Sequence, residues 1–156
     1  MSGRRRNQRG LTLVELIVAF TIMLVLTTMV VPMARYKVRR DRERDLRRAL
    51  VEMRNAIDKY KDMSDRGELP PAKIGTEGYP ETLEMLVEGV KKAGQVDLKV
   101  KFLRRIPKDP FTNSTDWGKR SMQDDPKTMG GGGQNVFDVF TKTTEKARDG
   151  TAYSDW

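Results

Sequence analysis

Nothing constrains this chain more than the run from Leu16 to Ala34, nineteen residues without a charge. The hydrocarbon core of a bilayer is about 30 Å thick and takes roughly 20 apolar helical residues to cross. Ten of the positions from Leu16 to Val31 are Leu, Ile, Val or Phe. At about −0.3 to −0.6 kcal/mol each, their insertion gains roughly 3–6 kcal/mol. A core helix in a small soluble domain needs a polar side, and this run has none. A secretory signal would share the basic leader (Arg4, Arg5, Arg6 and Arg9). Its apolar stretch, however, is about 7–15 residues long and ends in a small-x-small cleavage site. Here the stretch is longer, and Val30-Val31-Pro32-Met33-Ala34-Arg35 offers no such site. The sequence predicts one retained transmembrane helix, crossing to about residue 34.

The net charge of +8 in 156 residues would suit a nucleic-acid binder if it were spread over the fold. It is not. Met1–Gly10 carries +4, Leu11–Ala34 carries −1 and Arg35–Met63 carries +5, while Ser64–Trp156 has fifteen charges of each sign. The excess flanks the apolar run, where anionic lipid head groups or neighbouring chains are the partners it fits, and no nucleic acid is expected. Eight Lys/Arg between Arg35 and Arg48, against four before the run, would by the positive-inside rule put the C-terminal side in the cytoplasm. There is no Cys, so no disulfide frames the fold, and no His.

Helical periodicity continues past the apolar run. Leu46, Ala49, Leu50, Met53, Ala56, Ile57, Tyr60 and Met63 recur at steps of three and one, a single apolar stripe. Only Pro32 interrupts a helical reading from Leu11 to about Met63, a length of about 80 Å at 1.5 Å per residue. Pro32 removes one backbone hydrogen bond and should kink or loosen the helix there. Gly67, Pro70 and Pro71 end it. A short second helix is predicted from Pro80, with Leu83, Leu86, Val87 and Val90 on its buried side and Gly94 as its stop. Val96–Phe102 and Asn135–Thr141 alternate apolar with polar and read as strands, with Val136 toward an edge. Ser114–Gly133 is polar and glycine-rich and reads as a loop, and Thr143–Trp156 as a polar tail.

An enzyme has little to work with here. Lacking His and Cys, the chain lacks the commonest general base and the thiol nucleophile, and no spacing singles out a carboxylate pair. Glu15 is the exception. It sits near the start of the apolar run, where a carboxylate costs up to about 2.5–3.5 kcal/mol at bilayer depth and less near the interface. It either reaches interfacial water or is paired. A cut between Gly10 and Leu11 would create an amine about one helical turn from Glu15. In a stack of identical helices, one chain's Glu15 could meet its neighbour's amine, neutralising two charges that lipid penalises.

Gly10-Leu11-Thr12-Leu13-Val14-Glu15 resembles the class III signal of type IV pilins and type II secretion pseudopilins. The resemblance implies a leader removed after Gly10 by a prepilin peptidase, N-methylation of Leu11, and Glu15 as the assembly carboxylate. Leu11 stands where phenylalanine is usual. Pro32 falls where the family has a helix-loosening proline. The resemblance also reverses the orientation given by charge: leader cytoplasmic, head periplasmic. Asn55–Lys61, Tyr79–Val87, Ile106-Pro107-Lys108-Asp109-Pro110-Phe111 and Phe137–Thr141 are similar to stretches of major pseudopilins.

The implied fold is α+β and type IV pilin-like. It would have a leader over 1–10, a long helix over 11–64, and a head over 65–156 with one short helix and a short antiparallel sheet. The implied function is structural rather than enzymatic: a subunit of a periplasmic pseudopilus that polymerises through its N-terminal helix to drive protein export. Its partners would be its own copies, prepilin peptidase, minor pseudopilins, an inner-membrane assembly platform and, before assembly, membrane lipid. A surface pilin, or an uncut membrane-anchored binding module, would be the alternative. Family members bind calcium after the last strand, which here points to Glu145, Asp149 and Asp155. Calcium needs six to eight oxygen ligands, and Lys142, Lys146 and Arg148 in the same loop oppose a cation. Asn113-Ser114-Thr115 fits an N-glycosylation pattern too short to carry weight.

Overall fold

A computed structural model describes residues 12–94, 98–130 and 133–156. Helix α1 runs Leu13–Asp65. The chain divides into two compact units, Met1–Asp41 and Arg42–Trp156, so the boundary falls inside α1.

In the first unit the helix presents apolar side chains on every side, from Leu13, 75% exposed, to Met33, 72% exposed. Its threonines need no outside partner for their hydroxyl protons. The hydroxyls of Thr21 and Thr27 donate to the carbonyls of Ile17 and Met23 four residues back, and that of Thr28 to Val25, each at 2.7 Å. That local satisfaction lets polar side chains enter hydrocarbon. The helix is not interrupted at Pro32, which stays inside α1 and only withholds an N–H from the carbonyl of Thr28.

In the second unit all eight residues of the predicted stripe are buried, with Leu46, Met53 and Ile57 fully so. They form the floor of one core with Leu69, Leu83, Leu86, Leu103, Trp117, Val136, Val139 and Tyr153. A helical stripe of this width must bury itself against other elements, and the rest of this unit supplies them. Tyr60 packs edge-on against Phe102, centroids 5.3 Å apart.

Helix α2 is shorter than predicted, Leu83–Glu88, with Thr82 as its N-cap. Pro80 lies before it. Its carbonyl accepts the N–H of Val136 at 2.7 Å, tying the approach to the far side of the head instead of opening the helix. The stop is Gly89, not Gly94: at φ 83° it takes a positive-φ conformation that glycine alone adopts readily, and its N–H donates to the carbonyl of Met85. Val90, expected on the helix, instead enters strand β1 (Val90–Lys91), antiparallel to β2 (Lys99–Val100), with Val90 opposite Val100.

The stretch read as a polar loop contains strand β3 (Gly118–Arg120), antiparallel to β4 (Asp138–Phe140). Gly118 faces Phe140, and a Cβ there would lie 2.3 Å from the edge of the phenyl ring. Val136 is buried, not at an edge. The Ile106–Phe111 stretch is a turn built around buried Asp109. Its carboxylate accepts the Phe111 N–H at 2.8 Å and the Thr141 hydroxyl, and the Trp117 indole N–H donates to the carbonyl of Pro107 at 2.9 Å. The tail is folded as well. Lys146 bridges Ala152, and a 3-10 turn over Tyr153–Asp155 carries the fully buried Tyr153.

Candidate functional site

Two places carry the predicted functional residues. The first is the start of α1. Thr12 caps it: its hydroxyl accepts the Glu15 N–H at 3.3 Å and its carbonyl accepts the Leu16 N–H at 3.1 Å. Thr12-Leu13-Val14-Glu15 therefore has the spacing of a capping box, with an acid in the first turn where the helix dipole favours one. Among the described residues, the Glu15 carboxylate meets neither a cation nor a hydrogen-bond donor. Around it Leu13, Val14, Leu16, Ile17 and Val18 are exposed. A helix end of this kind offers one anionic group on an otherwise apolar rod. Gly10 and Leu11, the expected cleavage and methylation positions, lie outside the described residues. Pro32 is an exposed helical residue, and among the described residues no contact assigns it a role.

The second place is the hairpin after β4. The Ala147 N–H donates to the Thr151 carbonyl at 2.7 Å and the Tyr153 N–H to the Glu145 carbonyl at 3.4 Å. This pairing puts Glu145 at the hairpin's base, Asp149 at its tip and Asp155 in the turn beyond. The Asp149 carboxylate accepts both the hydroxyl (2.7 Å) and the N–H (3.0 Å) of Thr151. Those bonds, the hydroxyl first, hold its pKa below the ordinary carboxylate range. Among the described residues no three acidic or imidazole side chains gather where they could hold a metal ion. Glu145, Asp149 and Asp155 therefore do not form one carboxylate cluster, and these side chains do not fit calcium as a set.

The same region contains a charged cluster that no local pattern foretells. Arg54 of α1 and Arg120 of β3 share the carboxylate of Asp138 in β4. Arg54 Nε donates to Oδ1 at 2.7 Å, and Arg120 Nη1 to Oδ2 at 3.3 Å. Both guanidiniums reach onward to the C-terminal segment. Arg54 Nη2 donates to the main-chain oxygen of Trp156 at 2.7 Å, and Arg120 Nη2 to the carbonyl of Ser154 at 3.1 Å. Arg120, only 9% exposed, also donates to the Thr128 carbonyl and lies 4.2 Å from the Phe140 ring centroid. Arg47 stacks on Trp156 at 4.0 Å, and the Tyr153 hydroxyl donates to Glu43 at 2.7 Å. The available signal was an acid, Asp138, inside an apolar strand, but nothing in local pattern names partners 84 and 18 residues away.

Comparison with known proteins adds two findings. The prokaryotic N-terminal methylation motif matches residues 5–31, a span that includes Gly10, Leu11 and Glu15. Over 110 residues the chain is 33% identical to the type II secretion system core protein G of Escherichia coli strain K12, covering 69% of each chain. No solved structure matches significantly.

Proposed function

The chain belongs to the family of the type II secretion system core protein G, and we propose that it is a repeating structural subunit of a pseudopilus, polymerising through α1 and catalysing nothing itself. One observation carries this reading: an apolar helix exposed on all sides ends in a single carboxylate that meets no counter-charge among the described residues. Such a helix is stable in lipid or against others like it. Glu15 biases it toward others like it, because a neighbour's amine neutralises a charge that lipid does not.

In this reading the leader is cut between Gly10 and Leu11 by a prepilin peptidase, and Leu11 becomes the methylated N-terminus. Its amine pairs with Glu15 of an adjacent copy and sets the axial register. Pro32 leaves one carbonyl without its helical donor, a weak point at which α1 can loosen as helices pack. The leader faces the cytoplasm and the head the periplasm. Minor pseudopilins and an inner-membrane platform start and drive assembly, and growth of the fibre moves exported proteins outward.

Mass spectrometry of the mature N-terminus tests the processing step. A methylated Leu11 is the expected result, and an intact Met1 leader would make the protein a plain membrane anchor. Deleting the protein tests the assignment to secretion. Loss of exoprotein secretion is expected, whereas intact secretion with loss of a long surface fibre would make it a surface pilin.

A further inference from the structure

The resemblance calls for calcium to fasten the segment after the last strand, and the structure puts protein cations there instead. The oxygens that Arg54 and Arg120 hold are the Asp138 carboxylate and the main-chain oxygens of Ser154 and Trp156. All three accept hydrogen bonds from Arg54 or Arg120 at 2.7–3.3 Å. Oxygens engaged in this way can bind a divalent ion only by displacing the guanidiniums. We propose that Arg54 and Arg120 do the work a bound divalent cation would do, clamping the C-terminal segment to α1 and to the β3–β4 pair with no metal.

The chemistry of the two side chains suits that task. A guanidinium is always charged and presents its donors in a rigid fork, so it can hold a carboxylate and a carbonyl together. Arg54 comes from the helix, Arg120 from one strand and Asp138 from the next, and the two arginines reach two different oxygens of the tail. Asp138 is a single carboxylate between two guanidiniums, and Arg47 stacks on Trp156 beside them. Lys146 and Arg148 lie in the same hairpin. The three acidic side chains of this segment, Glu145, Asp149 and Asp155, are not gathered.

The test is hydrogen exchange of residues 143–156 in the full chain in detergent micelles, with calcium and with a chelator. For the native chain, exchange should be the same in both conditions, and calcium titration should give no stoichiometric heat. Arg120→Met, or the more exposed Arg54→Met, should speed exchange of this segment about tenfold or more in both conditions, since charge-assisted bonds are lost. Residues 46–63 should keep their protection. Arg54→Lys keeps the charge but loses the fork, and should fall between native and Arg54→Met. Faster exchange of the native chain in chelator, a stoichiometric calcium heat, or native protection in both Met variants would overturn the proposal.

Discussion

Ile57→Ala, set beside Val51→Ala, asks whether the second half of α1 is the floor of the head's core. Ile57 is fully buried in the core cluster, while Val51, six positions earlier on the same helix, is 55% exposed. Removing three carbons from a buried isoleucine costs about 2–5 kcal/mol, because the transfer term and the cavity term add. The unit Arg42–Trp156 has roughly 115 residues, and at about 2.1 cal/mol/K per residue its midpoint moves about 4 °C per kcal/mol. Ile57→Ala should therefore lower the melting temperature by about 8–20 °C. Val51→Ala should shift it by about 2 °C at most, in either direction, since alanine's better helix propensity offsets the small loss of contact. The readout is near-UV circular dichroism and tryptophan fluorescence of the full chain in mild detergent. Trp117, 1% exposed and hydrogen-bonded to Pro107, reports on the head rather than on the apolar half of α1. Equal shifts for the two variants would mean that the stripe does not face the core, and the account of the head would fail.

Gly118→Ala should destabilise the head by about 1–3 kcal/mol or more, because the added methyl occupies the space of the Phe140 ring in the facing strand; a denaturant midpoint measures it. Glu68 has its pKa held below the ordinary range, first by its hydrogen bond to Lys92 and then by the charges of Lys92 and Arg66. A depressed acid contributes stability above its unfolded pKa and loses it as pH falls through the folded one. Lys92→Ala should therefore raise the Glu68 pKa, seen by carboxyl NMR titration, and an unmoved titration would contradict the pairing.

What was legible in the sequence, and what was not, follows the range of the interactions. The stripe from Leu46 to Met63 was legible to the residue, because helical periodicity is a local signal and all eight positions are buried. Glu15 stood out as a charge at the start of an apolar run, whereas the cap made by Thr12 went unread although Thr-x-x-Glu before an apolar run is a local signature. The start of α2 was not legible: Pro80 has the local chemistry of a first helical residue, but its carbonyl is taken by Val136, 56 residues on. Strand β3 was invisible because Gly118-Lys119-Arg120 has no apolar alternation. It is held by a missing side chain opposite Phe140 and by Arg120 on Asp138. The tail looked polar, yet Tyr153 is fully buried against Phe111 at 4.3 Å and Trp156 at 4.8 Å. A family-level expectation of calcium at Glu145, Asp149 and Asp155 likewise carried no information about Arg54 and Arg120, whose roles exist only once the chain is folded.

The central claim is that a membrane-embedded carboxylate finds its counter-charge on another copy of the trimmed chain. Polymer yield from membranes carrying Glu15→Gln, set against N-terminal mapping of the same sample, tests it most directly. The variant should insert, lose its leader after Gly10 and remain as dispersed subunits, with little or no sedimenting polymer. Native amounts of polymer from a correctly trimmed Glu15→Gln chain would contradict the claim and leave assembly to be explained by the head.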